Sequence, residues 1–211
     1  MKISLTLLET QQEISIKIGN ALLPDLRKIF AKGIKNIRTE LPNIVNTAII
    51  NTPEYNSILS GKLRYEFGIR NSSSKLAGLL DTWSRNIYVV STPPSVISGG
   101  KIIGQFSASM IKVDFSDVLY TEYAEVYDDM RGYSLPWLEW LLLNGNRTIV
   151  RNHKVVYENS PRSRTGKALM RPNSQSWSVP AEFAGDRRNN WITRALDKIG
   201  PEIDTLLKKV F

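Results

Sequence analysis

Several groups of residues in this 211-residue chain have types and spacings that invite chemistry. Arg164-Thr165-Gly166-Lys167-Ala168 suggests a phosphate-binding loop, but that loop needs a glycine five residues before Gly166, where Pro161 stands. It also needs a Ser or Thr after the lysine to reach magnesium, where Ala168 stands. Without both, neither the backbone cradle nor the metal site assembles, and a solvated hairpin arm is the better reading. His153, the single histidine, lies between Arg151 and Lys154 with no carboxylate nearby in sequence, which reads as a turn histidine and not a general base. Asp117, Glu122, Glu125, Asp128 and Asp129 form an acidic cluster without the Asp-x-Asp-x-Asp-Gly spacing of a calcium loop, so a charged rim is expected. Trp137, Trp140, Trp177 and Trp191 could form a ligand platform; at this density tryptophans usually anchor a core or an interface.

The remaining candidates are cations. Arg162, Arg164, Lys167 and Arg171, with Arg187 and Arg188 further on, could meet phosphates. No aromatic residues interleave them as in single-strand binders, and no recognition helix accompanies them. Sequence-specific readout is therefore not expected, and non-specific contact with a passing duplex is the most they suggest.

Composition narrows the classes further. The chain has no cysteine, which removes disulfides, thiolate zinc sites and cysteine nucleophiles. Paired carboxylates in catalytic spacing and a nucleophile with its base are also missing, so no enzymatic activity and no cofactor are expected. No window approaches the roughly 18 apolar residues of a membrane span, and the first eight residues lack a secretory h-region. Synthesis in a cytoplasm, away from membranes, follows as an expectation. The formal charge is +8 and the pI about 9.7. Lys and Arg against Asp and Glu number 14 and 8 in residues 1–115, 1 and 6 in residues 116–145, and 9 and 3 in residues 146–188. Adjacent segments of opposite sign can pair within a subunit or between neighbours.

The elements that must position these residues follow from periodicity. Residues 14–18 fit strand or helix. From Leu22 through Leu26, Ile29, Ile34, Ile37, Leu41 and Val45 to Ile49 the 3.6-residue period predicts a long amphipathic helix, with Pro24 in its first turn and Pro42 kinking or dividing it. An elongated subunit is the natural consequence. Thr52-Pro53-Glu54 and Ser60-Gly61-Lys62 restart helices, and residues 74–85 carry Leu76, Leu79, Leu80 and Trp83 on one face. The period then becomes two: residues 87–90, 101–106 and 109–115 read as strands around a Pro/Gly loop at 91–100. Residues 120–130 are a short helix or a loop, and 136–143 a short buried helix. Residues 148–150 and 154–157 read as one hairpin, 168–170 and 177–179 as a second, and 189–199 and 201–210 as closing helices. The expected fold is α+β: a long N-terminal amphipathic helix and a C-terminal helix packed on an antiparallel β-sheet, with an extended hairpin arm. One domain, 1–211, is expected, with an inserted helix and arm at about 135–179. The arm around Ser160-Pro161-Arg162-Ser163 buries little apolar surface of its own, so a partner surface is expected to order it.

Taken in order, a long amphipathic helix, Ser60-Gly61-Lys62-Leu63-Arg64, an antiparallel β region, Tyr123-Ala124-Glu125 with Gly132, an approach through Pro180-Ala181-Glu182-Phe183, and Asn190-Trp191-Ile192-Thr193-Arg194-Ala195 resemble a known pattern. The chain resembles the neck and tail-completion (head-tail joining) proteins of tailed bacteriophages, the lambda Z-type group. Ser60, Gly61, Leu63 and Arg64 look like that group's Thr/Ser-Gly-x-Leu-Arg motif. The resemblance implies a non-enzymatic structural protein of the virion neck, a homo-oligomeric, hexameric ring around the DNA channel between the head connector or adaptor and the tail terminator. Trp137, Trp140, Arg162, Arg164, Lys167, Arg171, Trp177 and Phe183 are the expected intersubunit or partner contacts, with non-specific contact to genomic DNA in the channel. The alternative is a basic DNA-associated protein acting in packaging or genome retention.

Overall fold

The computed structural model describes residues 9–109, 114–128 and 132–210. Its longest element is set by a local signal at its start. Thr10 Oγ1 accepts from Glu13 N at 3.2 Å, while Glu13 Oε2 accepts from Thr10 N and Thr10 Oγ1 at 2.8 and 2.9 Å. This reciprocal capping box satisfies donors that a first helical turn leaves free. Helix α1 follows as Gln11–Ile50, so residues 14–18 are helical. Neither Pro24 nor Pro42 divides it. A mid-helix proline removes one hydrogen bond and crowds the preceding turn, at about 3 kcal/mol; around Pro42 that cost is offset by buried Leu41, Val45 and Ile49.

The chain is organised as two compact units. The first comprises residues up to Leu41, Tyr88–Ser109 and the chain from Asp204. In it β1 (Tyr88–Val96) and β2 (Ile102–Ser109) pair antiparallel, from Tyr88 opposite Ser109 to Val96 opposite Ile102. The register slips between Thr92 and Ser95, where Pro93 and Pro94 have no N–H to offer the ladder. The loop expected at 91–100 is thus strand as far as Val96, and the reversal is left to a 3₁₀ turn, Ser98–Gly100. Gly99 and Gly100 have φ near +77° and +78°, which only glycine adopts freely. Arg27 Nε donates to Pro94 O at 2.9 Å and Arg38 Nη2 to Val89 O at 3.1 Å, tying α1 to the hairpin. The strand expected at 109–115 falls largely outside the described residues. Phe115, past that gap, has φ +58° and precedes a helix.

The second unit comprises Pro42–Ile87 and Met110–Ile203. Thr52 caps α2 (Pro53–Ser60), its Oγ1 accepting from Tyr55 N at 3.2 Å; α3 (Lys62–Phe67) and α4 (Ser72–Arg85) follow. The short α5 (Ser116–Leu119) and a 3₁₀ turn, Glu122–Ala124, lead to β3 (Val126–Asp128), which pairs with β4 (Tyr133–Leu135). Helix α6 (Trp137–Leu142) is the expected short buried helix, with Trp137, Leu138, Leu141 and Leu142 all inside. The two hairpins expected after it are one nested hairpin instead. β5 (His153–Tyr157) pairs with β6 (Ala168–Pro172), and Val150 bridges Trp177 outside them. Alternation located the strands; it carried no information on their partners, and Asn152, at φ +56°, turns the chain without reversing it into a neighbouring strand. Asn190 caps α7 (Trp191–Leu196) in a second capping box with Thr193, and α8 (Gly200–Val210) ends the described chain. Ile49, Ile58, Leu63, Phe67, Leu76, Trp83, Leu138 and Trp191 form the buried core.

The class is α+β, as the periodicity indicates, and among the described residues the β structure is divided over three two-stranded antiparallel ladders. The segment 135–179 lies within the second unit. No helix among the described residues is long and apolar enough to cross a membrane.

Candidate interaction surfaces

The Ser60–Gly61–Lys62–Leu63–Arg64 segment forms the corner between α2 and α3. A Cβ on Gly61 would lie 2.9 Å from Ser57 Cα, closer than side-chain carbons approach, so the corner requires glycine. Ser57 Oγ accepts from Leu63 N at 3.0 Å, and Leu63 is fully buried. Arg64 reaches the carbonyls of Ile69 and Arg70, closing the turn after α3, while Ser60 stays exposed. The motif therefore acts as local architecture.

The tryptophans expected to meet a partner instead form an aromatic cluster around Phe67. Trp137, Trp140 and Trp177 have ring centroids 6.0, 6.3 and 5.8 Å from it, and Trp140 and Trp177 are 6.3 Å apart in a T-shaped pair. Trp137 is fully buried and donates Nε1–H to Tyr123 O at 3.0 Å. Trp177 donates to Glu66 Oε2 at 3.0 Å, and Tyr157 donates to Glu66 Oε1 at 2.6 Å. Burial and the Glu66 carboxylate push the Tyr157 hydroxyl well above its usual range. Glu66 thus joins β5 to the cluster, a role no periodicity announces.

The basic arm is ordered by its own subunit. Glu158 N donates to Lys167 O and Ser160 N to Gly166 O, both at 3.1 Å, and Ser163 Oγ accepts from Ala168 N at 3.2 Å. Arg164 Nη1 meets Asp128 Oδ2 at 3.0 Å with both side chains largely buried. Its guanidinium lies over Gly68, where a Cβ would sit 2.5 Å from Arg164 Nε. Lys167 Nζ stands 5.4 Å from the centre of the Tyr65 ring, and Arg171 pairs with Glu158. Opposite charges in neighbouring segments pair within the chain at Arg164–Asp128. Arg162 is exposed; Phe183 is half-buried, its carbonyl accepting from Arg194 Nη2 at 3.4 Å.

Arg194 is a hub that the spacing alone does not single out. It donates to Glu54 Oε1 at 2.7 Å, Asn189 Oδ1 at 3.1 Å and Ala184 O at 3.4 Å, and the Glu54 side chain is only 6 % exposed. Beside it, Trp191 donates to Thr52 Oγ1 at 2.6 Å and meets Trp83 edge-on at 5.7 Å. The acidic cluster is spread over α5, the 3₁₀ turn and β3. Asn86 Nδ2 donates to Asp117 Oδ2 at 3.2 Å, and Lys75 Nζ donates to Glu122 O at 2.8 Å. Burial lowers the Lys75 ammonium's pKa, opposed by Glu122 and Glu125. Asp129 lies outside the described residues, among which no group of three or more His, Asp or Glu could hold a metal. His153 opens β5 with Nδ1 2.9 Å from Arg151 O.

The first unit presents a different surface. Among its described residues the buried apolar side chains are few: Ile34, Ile37, Leu41 and Leu206. Ile18, Leu22, Leu26 and Ile29 lie on one face of α1 and are 36–56 % exposed, and Tyr88, Val90 and Ile103 are exposed on the hairpin. On another face of α1, that helix and β1 enclose a groove of about 430 Å³, lined by Phe30, Ala31 and Ile34 together with Arg27, Lys35 and Arg38. No carboxylate is among the described residues that line it. Its hydrogen-bonded arginines hold two of the cations in place. Periodicity marks α1 as amphipathic; it does not tell a face covered by the chain itself from one left open.

Compared with protein-family models, with curated proteins and with solved structures, the chain matches none.

Proposed function

We propose that the chain is a structural, non-enzymatic subunit of the neck of a tailed bacteriophage, made in the host cytoplasm and assembled in the virion as a hexameric ring. In this reading it joins the head connector or adaptor to the tail terminator. The observation that carries the reading is the open apolar face of α1, Ile18, Leu22, Leu26 and Ile29, in a unit whose described residues bury little apolar surface of their own. A helix and a two-stranded hairpin are marginal alone, and an apolar stripe at helical spacing is the surface another protein covers. The order of motifs along the chain, from the Ser60–Arg64 corner to the Asn190-capped closing helix, supports the phage neck over other assemblies. Arg162, on the exposed tip of the arm, is left as its outward-facing cation toward a partner or the DNA, since Arg164 is paired with Asp128. The test is genetic. A genome with this gene interrupted should yield filled heads and separate tails, restored by the intact chain, and fully joined particles without it would refute the proposal.

A second reading, a basic DNA-associated protein for packaging or genome retention, draws on the pI near 9.7 and the carboxylate-free groove. It requires duplex binding that weakens steeply with salt.

A further inference from the structure

Two surfaces of the chain are complementary in chemistry. The groove between α1 and β1 offers an apolar floor, Phe30, Ala31 and Ile34, under Arg27, Lys35 and Arg38, with no carboxylate among its lining residues. Residues 114–128 have the opposite character: five carboxylates and no Lys or Arg. Within that segment Tyr120, at the C-terminal end of α5, is 90 % exposed, the most exposed large apolar residue described, and Tyr127 is 58 % exposed. With Asp114 and Asp128 left out of the balance, Asp117, Glu122 and Glu125 still outnumber Lys75, which lies beside Glu122. An exposed aromatic ring among carboxylates is the chemical complement of an apolar groove rimmed by cations, and a groove of about 430 Å³ falls in the range that holds a side chain or small ligand.

We propose that copies of this chain associate head to tail, the Tyr120 ring of one copy seated in the α1–β1 groove of the next, with Glu122 facing Lys35. The inference rests on the ring reading above and supplies its subunit contact. The two surfaces differ, so the contact is heterologous: each copy uses its groove toward one neighbour and its tyrosine toward the other, which generates a closed ring or a filament and not a two-fold dimer. Burying charge opposite charge sets register and orientation, while the apolar floor and ring supply the desolvated centre.

The full chain carrying a photo-reactive benzoylphenylalanine in place of Tyr120 tests this directly, because the substitution keeps an aromatic ring at that position. Irradiation at high protein concentration should give covalent dimers and a ladder of larger species. Mass spectrometry of a mixture with isotope-labelled chain should place the link on residues 27–38 of a different copy. Lys35→Glu, at an exposed side chain, should lower the dimer yield at least tenfold, and adding Glu122→Lys should restore it. The proposal is overturned by a yield no greater than with the probe at Ser174, by links that map elsewhere or within one chain, or by no rescue. A probe at Ala31 that links to added duplex DNA and not to protein also overturns it. If these variants join heads to tails normally, this contact is wrong and the neck reading stands; if the unmodified chain is dispensable for joining, the neck reading fails whatever the cross-links show.

Discussion

Arg194 decides more of the second unit than any other side chain, because its guanidinium neutralises a carboxylate that is almost wholly buried. Glu54 lies in the first turn of α2, and without Arg194 its charge would lack a partner in a poorly solvated site. Arg194→Met is therefore expected to destabilise the protein by about 3–5 kcal/mol, read as a lower denaturant midpoint with the slope unchanged. Double substitution with Glu54→Gln should cost less than Arg194→Met alone, since the stranded charge is gone. A second prediction concerns Asp186, whose Oδ1 accepts from Arg188 N at 2.7 Å and Asn189 N at 2.9 Å just before α7. These backbone donors hold its carboxyl below the ordinary 3.8. A carboxyl depressed in the folded state adds stability that is fully present above its unfolded value and is lost as pH falls through the folded one. Amide protection at 186–190, measured relative to the intrinsic exchange rate at each pH, should fall below about pH 4, and Asp186→Asn should remove most of that acid dependence. At this scale the sequence was partly legible. Glycine and capping residues declared their roles, as at Gly61 and Thr52, because their reasons are local. Glu66, Glu54 and Arg194 act through partners 91 to 140 residues away, and no spacing along the chain encodes such a pairing.

At the scale of elements, the helical period located α1 and α4, the proline at its start located α6, and the change to a two-residue period located β1, β2, β5 and β6. What periodicity could not supply was pairing. Residues 153–157 and 168–172 look like strands of two separate hairpins and form one, because a ladder is chosen by the other strand and by the turn. Prolines misled in the same way. Pro24 predicts a first turn and Pro42 a kink or break, yet α1 starts before Pro24 and runs through both, since Gln11–Ile50 contains enough regular turns on either side to carry two lost hydrogen bonds. The two sites are not equivalent, because Pro42 stands among buried residues and Pro24 between exposed Leu22 and Leu26. Pro24→Ala should therefore strengthen α1, by up to about 3 kcal/mol, seen as slower amide exchange over residues 20–28. Gly68→Ala should act in the opposite direction. It places a Cβ at φ +70° and against Arg164, so the Arg164–Asp128 contact must give way along with the turn. The expected cost is at least the 1–2 kcal/mol of left-handed backbone for a non-glycine residue. A matching loss of order in the arm should be visible by limited proteolysis after Arg162 or Arg164.

For the whole molecule, the distribution of exposed apolar residues argues for assembly more strongly than any single motif. The second unit has a dense core in which three tryptophans are fully buried, whereas the first leaves a helical stripe and one hairpin face open. Such a stripe is a cost in a protein that acts alone and the working surface of one that is built into something larger. Leu22→Ser with Leu26→Ser should leave the thermal midpoint nearly unchanged, as expected for exposed positions, while removing association with neighbouring copies or partner rings. The amphipathic helix itself was readable from the sequence; that half of its apolar face stays uncovered was not, since periodicity reports a face and never its occupant. The basic arm shows the reverse: composition suggested that only a partner would order it, whereas Asp128, Tyr65 and Glu158 of the same chain hold it. The most direct test of the central claim is to label the chain in particles made by the genome that encodes it and to image them by electron microscopy. The neck reading predicts label confined to the junction of head and tail, in a copy number matching one ring. Label on the head shell or along the tail, or no label in complete particles, would contradict it.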